Sequence, residues 1–357
     1  MTQSATQSMT QSDPVLVWGG GAIGGTMAAY WARAGMPVLM VDVAADHVQA
    51  CRTSGMQIEG PVDQFTQVIP SVTPDEVKGV FSRVVLAVKA LATEQAVLQI
   101  LPHLAADGVV LSAQNGLNEL TIARLAGEER TLGCFVNFGA DWLEPGRILF
   151  GSRGSVVVGE IAGPIRARTV AMHELLKVFE PDAQLTDNIW GQLWGKLGYL
   201  SMVYATALTN ESMFDHFNDS ARFQVFRRLG SEAMAVARSQ GVRPIGFSGF
   251  EPAAFAAGAS EDEARASMQA LCAFRKKSAK SHSGIWRDIA VRKRRSEVDS
   301  QIGLIVQLGE QAGVATPMLA LLARLIRDIE TQRLPQAPTT FMELDTLCQS
   351  LTTSKAA

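Results

Sequence analysis

Short, continuous apolar runs recur through the first half of the chain, separated by segments of helical periodicity. "VLVW" (15–18), "PVLMVD" (37–42), "RVVLAVK" (83–89) and "GVVLSAQ" (108–114) are apolar on consecutive residues rather than alternate ones. That pattern predicts parallel strands covered on both faces. Helices are expected near 23–34, 44–54, 91–104 and 117–126. The strand–helix alternation then predicts βαβ units and a doubly wound sheet. "RTLGCFVNF", "GRILF" and "GSVVVGE" add strands up to about residue 160, and a helix follows "GPI" at 163–165, running to about Phe179.

Beyond residue 187 the pattern changes. Helical periodicities cover 188–210, 219–240, 262–280, 297–313 and 317–332, punctuated by "GVRPIGFSGFEP" (241–252) and "GVATP" (313–317). The expected fold class is an α/β Rossmann-type doubly wound sheet domain followed by an all-helical C-terminal domain. The boundaries expected are a disordered tail over 1–13, a dinucleotide-binding domain over 14–184 and a helical substrate and dimerisation domain over 185–335. A C-terminal extension covers 336–357, its closing "TTSKAA" read as disordered. The polar N-terminus "MTQSATQSMTQSDP" has no cationic or apolar region and is not a signal peptide.

Composition narrows the function. The 357 residues are 47% hydrophobic and 19% charged, with a net charge of −3. That is ordinary globular composition and does not favour nucleic acid or an anionic membrane as a partner. Cys51, Cys134, Cys272 and Cys348 are scattered, with no CxxC pair. No metal site or disulfide framework is expected, and a reducing, cytoplasmic setting fits. The stretch 189–209 is long enough to span a bilayer, but Gln192, Lys196, three glycines and two tyrosines interrupt it. A basic run over 275–295 lacks interleaved aromatics and is read as a solvated face. Within it, Arg287 and Arg292 are the arginines expected nearest a ligand.

Two features carry chemistry. The first is Gly19-x-Gly21-x-x-Gly24, with Ala22 and Ile23 inside it, directly after a strand and opening a helix. Gly19 permits the tight turn, Gly21 admits a pyrophosphate to the backbone, and Gly24 lets helix and strand pack closely. The phosphates would meet free N–H groups at the helix N-terminus. Asp42 ends the next strand, 18 residues past Gly24. A carboxylate there accepts the ribose hydroxyls of NAD(H) and repels the 2′-phosphate of NADP(H). Its plainer reading is a cap for the helix starting near Ala44.

The second feature is Lys196, the one charge in "IWGQLWGKLGYLSMVYATALT" (189–209). An unpaired buried ammonium is costly, so Lys196 either extends its head to water or serves as a cation where it stands. A lysine in a dry cleft donates a proton to a carbonyl that accepts hydride and stabilises the developing negative charge.

With "GGGAIGG", "LAVKA" (86–90), "QNGLN" (114–118), "WGKL" (194–197) and "RRSEVD" (294–299) in this order, the chain resembles the ketopantoate reductase (2-dehydropantoate 2-reductase) family over nearly its whole length. The resemblance implies a Rossmann domain plus a helical domain with the active site between them. It also implies NAD(P)H-dependent reduction of a 2-oxo acid, which for the type member is 2-dehydropantoate to pantoate in pantothenate biosynthesis. Lys89 and Asn115 would lie beside the nicotinamide end, Asn115 within reach of substrate. Lys196 would be the general acid and Glu297 would hydrogen-bond the substrate hydroxyl. Ser283 would touch the substrate carboxylate. Family habit favours NADPH, whereas Asp42 favours NADH. Where the family carries asparagines four and eight residues after the lysine, this chain has Leu200 and Tyr204, so Tyr204 stands at a substrate position. With Leu200, Met202 and Tyr204 in place of amides, a bulkier or more apolar 2-oxo acid is the expectation.

Plainer readings stand beside these: Glu297 as a carboxylate in a helix's first turn, and Asn115 as a turn residue before Gly116. Other functions also stay open. One is a dehydrogenase of the same architecture acting on a different hydroxy acid or an imine. Another is a non-catalytic NAD(H)-binding sensor. A homodimer through the helical domain is a further expectation.

Overall fold

The computed structural model describes residues 13–276 and 281–356. Residues 1–12 of the tail expected over 1–13 and the end of the helix expected over 262–280 lie outside them. Asp13, expected as the last tail residue, is instead held on the fold. Its carboxylate accepts the Ser82 N–H at 3.2 Å, and its carbonyl accepts the Arg83 guanidinium. The chain divides into two units, Met1–Ile189 and Trp190–Ala357.

The first unit runs β1 (Val15–Trp18), α1 (Ala22–Arg33), β2 (Val38–Val41), α2 (Ala45–Thr53), β3 (Met56–Glu59), β4 (Phe65–Gln67), β5 (Ser71–Val72), β6 (Phe81–Leu86), α3 (Thr93–Ile100), β7 (Leu104–Ser112) and α4 (Glu119–Ala126). It continues with β8 (Thr131–Val136), β9 (Gly139–Glu144), β10 (Arg147–Ser152), β11 (Val156–Glu160), α5 (Ala167–Phe179) and β12 (Gln184–Leu185). Eight strands form one sheet in the order β12-β11-β8-β7-β6-β1-β2-β5. It is parallel except where β11 runs against β8.

The apolar runs are continuous because both faces of this sheet are buried. Val15 and Val17 of β1 join a core with Met27, Trp31, Phe150 and Phe179, whereas Leu16 and Trp18 join another with Leu86, Ile100 and Ile122. The Trp31 indole N–H donates to the Leu175 carbonyl at 2.8 Å and ties α1 to α5.

Three sequence expectations change in this unit. The helix expected over 91–104 is α3 alone, flanked by single turns, because Pro102 supplies no helical N–H. Leu104 already opens β7, which stops at Ser112. A second sheet, in the order β4-β3-β10-β9, was not foreseen beyond the β10 segment. Its other strands are short and half polar, as in "MQIE" and "GADWLE".

The second unit contains α6 (Ile189–Thr206, its first residue still in the first unit), α7 (Met213–Asn218), α8 (Phe223–Ser239), α9 (Glu261–Lys276), the single turn α10 (Gly284–Trp286), α11 (Leu304–Gln311), α12 (Pro317–Glu330) and α13 (Pro338–Ala356). Val225, Phe226, Leu229 and Ala233 of α8 are fully buried, and α11, α12 and α13 pack on that helix. The Glu232 carboxylate accepts the Met318 and Leu319 N–H groups and so caps α12. The helix expected over 297–313 is interrupted: Asp299–Gly303 is a wide π turn before α11. Residues 352–356 of "TTSKAA" are not a disordered end, since α13 continues through Ala356, and Ala357 lies outside the described residues. Phe341, Leu344 and Cys348 form its buried stripe, and Arg228 donates to the Thr352 hydroxyl at 3.1 Å.

Glu119, the first residue of α4, is fully buried, and burial pushes its carboxyl up to about 8. The folded state therefore keeps a proton that the unfolded state loses above an ordinary glutamate pKa of about 4.3. The stability this contributes is complete below that value and lost as pH rises through about 8. Urea titrations of wild type and Glu119→Gln should diverge over this window. The wild type should lose up to about 1.4 kcal/mol per pH unit relative to the variant, and the difference should level off above it.

Candidate cofactor and substrate sites

In the first unit the chemistry-bearing residues collect at one edge of the sheet. The glycine turn follows β1, Asp42 follows β2, Lys89 follows β6 and Asn115 follows β7. These four strands are parallel neighbours, so all four loops emerge at their C-terminal ends, where open α/β sheets bind ligands. A shallow 720 Å³ cavity lined by Pro14, Pro37, Lys78 and Phe81 opens at the opposite edge and contains none of these residues.

The three motif glycines divide their work as their spacing suggests. Gly19 has φ +106°, and a Cβ on it would lie 2.8 Å from the Ala87 carbonyl carbon. A Cβ on Gly24 would lie 2.0 Å from the Gly19 carbonyl oxygen and 3.1 Å from Val17. A Cβ on Gly21 would meet nothing within 4 Å. The first and third glycines are thus demanded by packing, whereas the second leaves open space. Gly21 is also the N-cap of α1, with no side chain capping it and no acidic residue in the Ala22-Ile23-Gly24 turn. The free N–H groups and the dipole favour an anion there.

The Asp42 carboxylate takes two backbone donors, and the N-cap of α2 is Ala44, with no side chain capping that helix. One carboxylate oxygen accepts the Gly20 N–H at 2.8 Å and the other accepts the Ala44 N–H at 3.0 Å. Each oxygen keeps a second lone pair for a ribose hydroxyl. Arg33 is engaged elsewhere, pairing with Asp63 at 2.8 Å and lying over Phe65, and Arg52 donates to Gln49 at 2.7 Å. The Asp42 carboxylate therefore fits the ribose of a nicotinamide dinucleotide.

Lys89 is exposed and opens a short turn, and Asn115 is half-buried. Sequence reasoning missed the buried network that joins their loops. The Gln114 amide donates to the Val88 carbonyl and to the Thr93 hydroxyl, both at 2.8 Å. Thr93 donates to Asn118 at 3.0 Å, and Asn118 donates to the Asn115 carbonyl at 2.8 Å. The signal was inside "QNGLN", whose flanking Gln114 and Asn118 are the buried residues.

In the second unit α6 is gripped along its glycines. A Cβ on Gly195 would lie 2.0 Å from the Ile245 carbonyl oxygen, and one on Gly198 would lie 2.4 Å from Met234. The Ile245 N–H donates to the Gly191 carbonyl at 2.9 Å. Gln192, Lys196 and Leu200, spaced four apart, form the half-buried stripe of this otherwise buried helix. Tyr204 continues the stripe and is fully buried. Its hydroxyl bonds the Ser296 side chain and faces Glu297, Glu330 and Asp288. Burial foremost, then those carboxylates, holds it well above the ordinary tyrosine value, so it stays protonated. The Ser296 N–H in turn donates to Glu330 at 2.8 Å. The structure thus brings Tyr204 to the Ser296–Glu297 segment, on the helix face that carries Lys196.

Ser283 is placed as a cap: its hydroxyl accepts the Trp286 N–H at 3.0 Å, at the start of α10. Of Arg287 and Arg292, the arginines expected nearest a ligand, Arg292 pairs with the buried Asp288 at 3.1 Å, beside Arg294 at 2.8 Å. Burial depresses the Arg287 guanidinium. Among the described residues no group of three or more His, Cys, Asp or Glu side chains is placed to hold a metal, and no helix is long and apolar enough to cross a membrane.

The model of the family "Ketopantoate reductase PanE/ApbA" matches residues 15–163, and that of its C-terminal part matches residues 188–330. A 2-dehydropantoate 2-reductase of Mesorhizobium japonicum is 25% identical over 342 residues, covering 89% of this chain and 98% of its own. Among solved structures, a PanE/ApbA family ketopantoate reductase from Ralstonia eutropha aligns with TM-score 0.75 and 26% identity, over 89% of this chain and 99% of its own. A D-mandelate dehydrogenase solved with NADH and anilino(oxo)acetate aligns with TM-score 0.77 and 20% identity, over 89% and 98%.

The glycine geometry makes a direct prediction. Gly24→Ala should destabilise the protein by about 1–3 kcal/mol, because backbone must shift to admit the methyl group. Gly21→Ala should change stability by less than about 0.5 kcal/mol. Chemical denaturation of both variants checks the contrast.

Proposed function

The chain belongs to the ketopantoate reductase family of NAD(P)-dependent oxidoreductases, and on that premise we propose that it reduces an apolar 2-oxo acid to the 2-hydroxy acid with NADH. The observation that carries the reading is the stripe of α6, in which Lys196 shares a face with Leu200 and Tyr204, and Tyr204 meets the Ser296–Glu297 segment.

A bound nicotinamide dinucleotide supplies the hydride. The protein's own groups do the rest. The free N–H groups opening α1 hold the pyrophosphate, and Asp42 takes the ribose hydroxyls and turns away a 2′-phosphate. The Lys196 ammonium gives a proton to the carbonyl oxygen of the 2-oxo acid as C2 receives hydride, and its charge stabilises the alkoxide that develops. Glu297 accepts the hydrogen bond of the resulting hydroxyl and favours the charged lysine. Asn115 orients the carboxamide end of the cofactor and the substrate beside it, with Lys89 as a second cation. Ser283 keeps one hydroxyl hydrogen free for the substrate carboxylate while it accepts the Trp286 N–H.

Leu200 and Tyr204 decide the substrate. An amide at these positions would grip a hydroxylated side chain. An aliphatic group and a tyrosine kept neutral by burial favour an apolar one, and burying a further CH₂ is worth about 0.8 kcal/mol.

Initial rates with NADH and NADPH against ketopantoate, branched aliphatic and aryl 2-oxo acids test the reading. NADH should outrun NADPH, and the apolar acids should outrun ketopantoate. Lys196→Ala should lose about 10²–10⁴-fold in kcat while NADH binding persists. Asp42→Ala should narrow the preference for NADH. NADH binding with no turnover of any 2-oxo acid would overturn the proposal and favour a nucleotide sensor.

A further inference from the structure

His47 stands outside every role described so far, yet it is 1% exposed and reaches two distant backbones. Its Nε2 lies 2.8 Å from the Gly20 carbonyl oxygen. Its Nδ1 receives the Gly146 N–H at 2.9 Å, from the turn between β9 and β10, and the Trp142 indole N–H points at the same atom from 3.4 Å. Two donors at Nδ1 and a carbonyl at Nε2 fit only the neutral tautomer that carries its proton on Nε2. His47 therefore donates to Gly20.

That bond bears on the open face of the glycine turn. In a trans peptide the C=O and the following N–H point in opposite directions. By holding the Gly20 carbonyl toward α2, His47 aims the Gly21 N–H away from it, at the one motif glycine whose Cβ direction is clear of protein. The Gly20 N–H is meanwhile fixed on Asp42. Residue 20 is thus held on both sides, its N–H by a side chain ending β2 and its C=O by a side chain of α2.

Resting on the proposed NADH-dependent reading, we infer that His47 is a positioning residue for the dinucleotide. It fixes the orientation of the Gly20–Gly21 peptide, so that the Gly21 N–H meets the pyrophosphate without further ordering. It touches neither substrate nor the reacting atoms. Its loss should weaken cofactor binding and spare turnover.

The two ends of the imidazole can be separated by substitution. The amide NH₂ of a glutamine reaches about where Nε2 stands and can donate to Gly20. The amide oxygen of an asparagine reaches about where Nδ1 stands and can accept from Gly146. NADH affinity, followed by fluorescence titration of His47→Gln, His47→Asn and His47→Ala, tests the inference beside steady-state rates and thermal melts. The expected result is an NADH Kd within about twofold of wild type for His47→Gln and about tenfold weaker for His47→Asn and His47→Ala. The kcat at saturating NADH and the KM for the 2-oxo acid should hold throughout. The opposite ranking, with asparagine rescuing and glutamine not, would assign His47 to the β9–β10 turn and overturn the inference. So would unchanged affinity in His47→Ala beside a wild type that binds NADH. If His47→Ala does not fold, the glutamine–asparagine contrast decides. Failure of the wild type to bind NADH would instead overturn the proposed function, and this inference with it.

Discussion

Helix α1 can begin where it does only because a Cβ at Gly24, which would stand 2.0 Å from the Gly19 carbonyl oxygen, is absent. That approach fixes the rest of the nucleotide half. It sets the N-terminus of α1 at the C-terminal edge of β1, beside the loops leaving β2, β6 and β7. Gly19 meets the Ala87 backbone, so the β1 and β6 loops touch directly. Gln114 and Asn118 then link the loops after β6 and β7. Asp42 and His47 hold the intervening Gly20. The open position at Gly21 is what remains once every neighbour has been packed.

The same device serves the second unit with different chemistry. Gly195 and Gly198 let the Ile245 backbone and Met234 press against α6. The opposite stripe of the helix is left for Gln192, Lys196, Leu200 and Tyr204. A lysine on a helix this apolar is tolerable because its stripe is the half-buried one and runs toward carboxylates. Burial foremost, and then the three acidic groups that it faces, keep the Tyr204 hydroxyl neutral. Where the resemblance leads one to expect two asparagines, this chain presents one hydroxyl and an aliphatic surface.

The elements legible in the sequence were those whose cause is local or repeats along the chain. β1, β2 and β6 are buried on both faces, and α1 starts at a glycine motif whose first and third positions answer to contacts while the second faces open space. Asp42 could be singled out because it ends a strand, whereas Lys89 and Asn115 were singled out only through the family resemblance. The second sheet was not, because strands such as β9 are short and partly exposed, with no apolar run to mark them. The wide turn at Asp299–Gly303 has helical composition and hides in its periodicity. "TTSKAA" reads as polar tail, and only the stripe from Phe341 to Cys348 upstream carries the helix through it. His47 was invisible for a different reason. Its partners lie 27 and 99 residues away, and no local pattern records them.

In the proposed reaction, hydride from the dinucleotide goes to C2 of the 2-oxo acid and Lys196 supplies the proton. The most direct measurement follows the atom itself. NADH deuterated at C4 is supplied with the best 2-oxo acid, and the hydroxy acid product is analysed by mass spectrometry and NMR. One deuterium on C2 from one of the two C4-labelled epimers, and none from the other, is the predicted result. A product whose C2 hydrogen comes from water would contradict the account.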